Sequence, residues 1–166
     1  MILIAIGANM PAPDGTAPLD TCRASVPEMC AIAGLSFVAL SGWYRTAPVP
    51  RGIGADYCNG MVRLEGGIDA AALLAELQGI EARFGRARSY PNAPRSLDLD
   101  IIDLNGMIRA APDPTLPHPR AHLRAFVLRP LLDVAPGWRH PVYRSSLTTL
   151  LAGLPPQGIE PWDNDD

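Results

Sequence analysis

The chain has 166 residues, 48% of them hydrophobic and 19% charged, with a formal net charge of −3. That is the size and composition of one globular domain, and it excludes disorder, a disulfide-stapled miniprotein and a basic nucleic-acid-binding surface. All fourteen basic residues are arginine; Schiff-base and pyridoxal chemistry and the P-loop lysine are thereby excluded, and any phosphate must be held by arginine, backbone N–H groups or a metal.

The chain opens on a short apolar run, 2–6, closed by Gly7, which reads as a buried strand. The run lacks a basic flank and is too short for a signal peptide or a membrane span, so a soluble cytoplasmic protein is expected. Residues 9–14 are turn-like. Leu19, Cys22, Val26, Met29 and Cys30 then fall at helical spacing, with Thr16 as the expected cap, Pro18 in the first turn and Pro27 expected to kink or shorten the helix. Cys22, Cys30 and Cys58 are odd in number and show no CxxC spacing, which points to buried reduced thiols rather than a disulfide or zinc framework.

Residues 35–46, rich in Val, Phe, Trp and Tyr, read as one long strand. After a Pro- and Gly-containing loop, 57–65 reads as its hairpin-like partner. Asp69 caps the clearest helix, with Leu73, Leu77, Ile80 and Phe84 on one stripe and Gly85 at the C′ position. A polar loop at 86–94 leads to a strand at 97–104, turned by Asn105-Gly106. The stretch 112–119 is irregular, 126–134 reads as a short apolar helix, 147–151 as another, and the acidic end, 163–166, as a frayed tail. The order β-α-β-β-α-β predicts an α+β fold: a ferredoxin-like antiparallel sheet flanked by helices, with a C-terminal helical extension. One domain is expected over 1–166, with no room for a second, fused enzyme.

The sharpest local feature is Asp98-Leu99-Asp100. On a strand, residues i and i+2 project to one face, so Leu97, Leu99 and Ile101 point into the core and the two carboxylates away from it. Two such carboxylates repel each other unless a cation joins them. Mg²⁺ favours one or two carboxylates completed by waters and phosphates. The competing reading is a solvated strand face with two ordinary aspartates. Arg86, Arg88 and Arg95 lie just before the pair, a polyphosphate-like combination; surface ion pairing of Arg95 with the aspartates is the alternative for that residue. Gln78 and Glu81, one turn apart, read on pattern alone as an exposed helix flank. Tyr57 and Asn59 share one strand face, and on pattern alone they too read as ordinary surface. His118 in a proline-rich loop reads as structural, and Gly7-Ala8-Asn9 after a strand can approach a ligand. Neither Walker nor Rossmann motifs occur. These features indicate Mg²⁺ and phosphate without naming a substrate.

Taken in order, the same blocks resemble the 6-hydroxymethyl-7,8-dihydropterin pyrophosphokinase family over about 2–138. IAIGAN at 4–9 resembles its opening strand, WYRTAPV at 43–49 its Y-x-T-x-P segment and DYCNGMV at 56–62 its [D/F]-Y-x-N motif. LLAELQGIEARFGR at 73–86 resembles its Q-x-I-E-x-x-x-G-R helix. PRSLDLDII at 94–102 matches P-R-x-L-D-L-D-I almost letter for letter, and LPHPRAHLRAFVLRPLLDVAP at 116–136 resembles its P-H-x-x-x-x-x-R-x-F-V-L-x-P-L segment. The resemblance implies transfer of pyrophosphate from ATP to the pterin alcohol, releasing AMP, in folate synthesis.

It also implies roles. Asp98 and Asp100 would hold two Mg²⁺ ions. Gln78, Glu81, Arg86, Arg95, Ile101, His118 and Arg124 would contact ATP. Gly7, Thr46, Ala47, Val49, Tyr57, Asn59 and Phe126 would line the pterin pocket. Arg86, Arg88 and Arg95 would join the aspartates in catalysis. The partners would be these two small molecules, with no nucleic acid, no membrane and a monomeric state. The sequence departs from the pattern at Ser89-Tyr90-Pro91-Asn92-Ala93, where some relatives carry an Arg-Trp pair that closes over the nucleotide. Arg88 is retained and Tyr90 can supply an aromatic ring, so a less tightly closing lid and a slower chemical step are expected. Two rival readings are a Mg²⁺-dependent phosphohydrolase or nucleotidyltransferase on the same D-x-D, and a non-enzymatic pterin- or nucleotide-binding module.

Overall fold

The computed structural model describes residues 1–48, 54–85 and 95–162. Val49, Arg86 and Arg88, and the 89–93 stretch, lie outside the described residues. So does the acidic tail at 163–166.

Ten named elements follow in order: β1 (Ile2–Ala8), α1 (Pro18–Cys30), β2 (Leu35–Leu40), β3 (Tyr44–Thr46), β4 (Tyr57–Gly66), α2 (Ala70–Arg83), β5 (Asp98–Leu104), α3 (Ala125–Val134), α4 (Leu147–Ala152) and β6 (Ile159–Pro161). A single 3-10 turn, Ala121–Leu123, precedes α3. The six strands form one sheet in the order β5-β1-β4-β3-β6, with β2 also paired to β4. All the pairings are antiparallel. The strand order is that of a ferredoxin-like sheet extended by β6, so the predicted α+β architecture holds.

The sheet is covered on both faces because β1 is apolar on both. Ile2, Ile4 and Ile6 join Cys22, Met29, Leu73, Leu77 and Ile80 beneath α1 and α2. Leu3, one residue out of phase, joins Met61, Ile102, Val127, Leu128 and Leu131 beneath α3 and α4. Alternation at period two makes this division unavoidable. A bulge in β5 opposite Leu3/Ile4 inserts one residue, and it leaves Ile102 and Asp103 both on the α3 side. There Asp103, almost fully buried, accepts from Trp138 Nε1 at 2.8 Å and from the Gly106 N–H at 2.8 Å.

Several expectations need correction. The long strand at 35–46 is two strands, because Ser41 breaks it. The Ser41 Oγ accepts the Met61 N–H at 2.8 Å, taking the place of a backbone carbonyl, and the Gly42 N–H turns to Asp133 Oδ2 at 3.1 Å. Thr16 does not cap α1. Its hydroxyl and N–H both serve Asp14, and the N-cap is Ala17, with no side-chain cap. Helix α1 runs three residues past Pro27 to Cys30. The C-terminal extension is not helical alone, since β6 pairs with β3. Asp69 does cap α2, accepting from Ala71 and Ala72, and Gly85 takes φ 86° just after it. Cys22 and Cys58 are buried free thiols, and Cys30 is only half-buried. Their mutual hydrogen bond, and then burial, raise the Cys22 thiol well above its usual range. Among the described residues no helix is long and apolar enough to cross a membrane.

Candidate active site

Strand register assembles the site. Asp98 is the β5 partner of Gly7, Gly7 the β1 partner of Asn59, and Asn59 the β4 partner of Tyr44 in β3. These four residues form one row across the sheet and therefore share a face. Asp100, opposite Ala5, stands on the same face one pleat along, and the Thr46–Tyr57 pair stands on it at the other end. It is the α3 face, since Leu3 and Met61 lie on it. With strands ~4.8 Å apart, Asp98 and Asn59 stand roughly 10 Å from each other. Gly7 keeps the space between them low; a Cβ there would meet Asn59 Oδ1 at 3.5 Å.

At the β5 end the site is charged. Asp98 and Asp100 are both half-buried. Arg95 Nη1 reaches Asp98 Oδ1 at 2.8 Å. The backbone of Arg95 is fixed in turn by Asn9, whose N–H donates to the Arg95 carbonyl at 3.1 Å and whose Oδ1 accepts the Arg95 N–H at 2.9 Å. His118 and Arg124 lie within the electrostatic reach of the aspartates. Burial, and then Arg124 and Arg120, push the His118 pKa down to about 4, against an upward pull from Asp98. Its Nδ1 accepts the Arg120 N–H at 3.1 Å, so the neutral ring carries its proton on Nε2. Burial, followed by Arg120, lowers the Arg124 pKa, while Asp100 and Asp98 raise it. The guanidinium of Arg124 lies 5.3 Å from the Phe126 ring centroid.

At the β3 end the site is neutral. Asn59, 6% exposed, donates from Nδ2 to Thr46 Oγ1 at 2.8 Å. Asn59 is thus buried, not the surface residue that pattern alone suggests. Thr46 is buried and Ala47 half-buried. Phe126 is half-buried against the α3-side core. Tyr44 donates its hydroxyl to Asp133 Oδ2 at 2.7 Å. Burial, aided by that carboxylate, pushes the tyrosine pKa up to about 12.

Other sequence-predicted residues lie around the outer edge of β5. Glu81 is 4% exposed, not on an exposed flank, and its Oε2 accepts the Leu99 N–H at 3.3 Å. Its position, four residues after Leu77 and three before Phe84, was the available signal. Gln78 is exposed one turn earlier on α2. Ile101 turns its side chain into the α1/α2 core at 5% exposure, and by strand alternation its backbone groups share the outward edge with those of Leu99. The His118 N–H donates to Ile102 O at 3.0 Å on the same edge. Asn9 had a place in a quoted motif but no role. Asp133 had no sequence signal, because it is remote in sequence from Tyr44.

The chemistry of the donors fits Mg²⁺. Two hard carboxylates share a half-exposed strand face, and among the described residues no group of three or more His, Cys, Asp or Glu gathers there to build an all-protein cage. Such a partial shell, completed by waters and phosphate oxygens, is the kind Mg²⁺ takes. Two clefts lie away from the carboxylate pair. One, about 210 Å³, lies between Tyr44, Arg129, Asp133 and β6. The other, about 450 Å³, lies between α1 and the end of α2. Neither contains Asp98 or Asp100, so register and donor chemistry locate the site, not depth.

Comparison with known proteins gives a consistent result. Residues 3–136 match the family model of 7,8-dihydro-6-hydroxymethylpterin-pyrophosphokinase (HPPK). A 2-amino-4-hydroxy-6-hydroxymethyldihydropteridine pyrophosphokinase from Pseudomonas aeruginosa is 33% identical over 96% of this chain and 94% of its own length. One of the same name from Synechocystis is 37% identical over 74% of this chain, and the match spans 63% of that relative's length. A solved HPPK-DHPS structure in complex with substrates covers 91% of this chain and 42% of its own, at TM-score 0.64 and 12% identity, a likeness of fold.

Proposed function

The chain belongs to the 7,8-dihydro-6-hydroxymethylpterin-pyrophosphokinase family, the pyrophosphokinases of folate synthesis, and from that premise we propose how its residues divide the transfer of pyrophosphate from ATP to the pterin alcohol. One observation carries the reading. Asp98, Gly7, Asn59 and Tyr44 form a single row, charged at one end and neutral at the other, with Arg124 and Phe126 over the same face.

The neutral end takes the pterin. Asn59 and Thr46 offer amide and hydroxyl groups to the edge of the heterocycle, and Phe126 offers a ring to stack on its face. Gly7, Ala47 and Tyr57 would border the same slot. The charged end takes the triphosphate. Arg95 and Arg124 hold phosphate oxygens, and His118 donates from Nε2 while staying neutral at physiological pH. Glu81 keeps the β5 edge in place by accepting the Leu99 N–H, beside the outward backbone of Ile101, where a purine edge can pair. Asp98 and Asp100 would hold Mg²⁺, which when bound supplies charge neutralisation for the phosphate chain and a lower pKa for the pterin alcohol. The alcohol then gives its proton to solvent as its oxygen forms the bond to the β-phosphorus, the bond from the β-phosphorus to the oxygen of the α-phosphate breaks, and AMP leaves with that oxygen. Alignment and charge neutralisation account for the acceleration, with no protein base required. The cytoplasm is the compartment we propose.

The test is AMP release with ATP, Mg²⁺ and 6-hydroxymethyl-7,8-dihydropterin, with the pterin omitted as control. AMP formed only with pterin supports the reading. ADP or phosphate formed without it points to a phosphohydrolase, and binding of both ligands without product points to a module without turnover.

A further inference from the structure

Helix α3 begins without a cap of its own. Its N-cap position is Arg124, whose side chain makes no capping hydrogen bond, so the first N–H groups of the helix need acceptors from elsewhere. One is supplied from 32 residues away. Gln157 Oε1 accepts the Ala125 N–H at 2.9 Å, and Gln157 Nε2 donates to the Leu123 carbonyl at 3.1 Å. A single side-chain amide thus grips the backbone on both sides of Arg124. The strand that follows Gln157 grips the opposite wall, because β6 pairs Ile159 with Thr46 and Pro161 with Tyr44.

We infer that Gln157 and β6 form a strap that sets the Arg124–Phe126 corner against the Thr46 wall, which makes Gln157 a positioning residue for both substrates. The inference deepens the reading above, since it rests on Arg124 meeting phosphate and Phe126 meeting pterin. Gln157 lies beyond residues 3–136, the segment that the family model matches. The corner carries a guanidinium and a ring that must face two different ligands, and an arginine side chain, which has no acceptor, cannot cap the helix it begins. The amide supplies the missing cap and ties it to the Leu123 carbonyl, while leaving the Arg124 and Phe126 side chains available to the site.

The experiment compares wild type, Gln157→Ala and Ser146→Ala in steady-state AMP release, varying ATP and pterin separately, with melting temperatures alongside. Ser146 caps α4 through the Thr149 N–H at 3.2 Å and is the control for general loosening of the C-terminal region. Gln157→Ala is expected to raise KM for pterin and for ATP roughly three- to tenfold, the worth of a lost hydrogen bond or two, while Ser146→Ala changes neither. Unchanged KM values in Gln157→Ala overturn the strap alone. Equal KM rises in both variants also overturn it, because they show loosening, not positioning. A wild-type protein that makes no pterin-dependent AMP overturns the strap together with the function beneath it.

Discussion

The two ends of the Asp98–Tyr44 row are built from different materials. At β3 the row's own side chains carry no charge and are already joined, with the Asn59 amide on the Thr46 hydroxyl and the Tyr44 hydroxyl on the Asp133 carboxylate. At β5 they are charged, with Arg95 paired to Asp98 and Arg124 within the field of Asp98 and Asp100. Hydrogen bonds that are already made fix a shape without any ligand, which suits a flat, uncharged heterocycle. Clustered charges of both signs suit a nucleotide with its cation, and a step whose difficulty is charge. On the proposed function, recognition sits at one end of the row and chemistry at the other.

The largest way to break this division is at the charged end. Asp100→Ala is expected to lower kcat by about three orders of magnitude, with the circular dichroism spectrum and melting temperature close to wild type. Near-normal turnover in that variant would sink the metal assignment. The next test concerns His118. The ring takes up its proton near pH 6.5 in the unfolded chain but only near about 4 in the folded one. Between those values the unfolded chain holds the extra proton, so this contribution to stability is complete above pH 6.5 and is lost as the pH falls toward 4. Urea midpoints at pH 7 and pH 5 are expected to fall further apart for wild type than for His118→Gln, by an amount that partial exposure keeps modest. Equal pH sensitivity of the two proteins would show that His118 is not held neutral. The smallest effect belongs to the 89–93 stretch. Asn92→Arg restores one member of the lid pair found in some relatives and is expected to raise the single-turnover rate a fewfold; no gain would remove the lid from the comparison.

The charged end was the more legible in the sequence, and the reason is periodicity. A D-x-D inside an apolar strand states its own geometry, because residues two apart on a strand must share a face. The neutral end depends on register between three strands, and no local pattern in 44–46 or 57–61 states that register. Pattern alone therefore left Asn59 on the surface. The break at Ser41 was hidden for a related reason: a serine hydroxyl replaces a backbone carbonyl in a segment whose composition is that of a strand throughout. Strand β6, only three residues long and flanked by prolines and a glycine, exists because β3 offers it an edge. Gln157 sits in that same stretch, and no spacing announces that its amide crosses to the start of α3.

The division itself is tested most directly by kcat and KM for both substrates in Arg95→Ala and Asn59→Ala, measured side by side. Arg95→Ala should lower kcat or raise KM for ATP and leave KM for pterin within about twofold. Asn59→Ala should raise KM for pterin roughly tenfold or more and leave KM for ATP near the wild-type value. An Asn59→Ala enzyme with an unchanged KM for pterin, or two variants that shift both constants alike, would contradict a site with separate ends for recognition and chemistry.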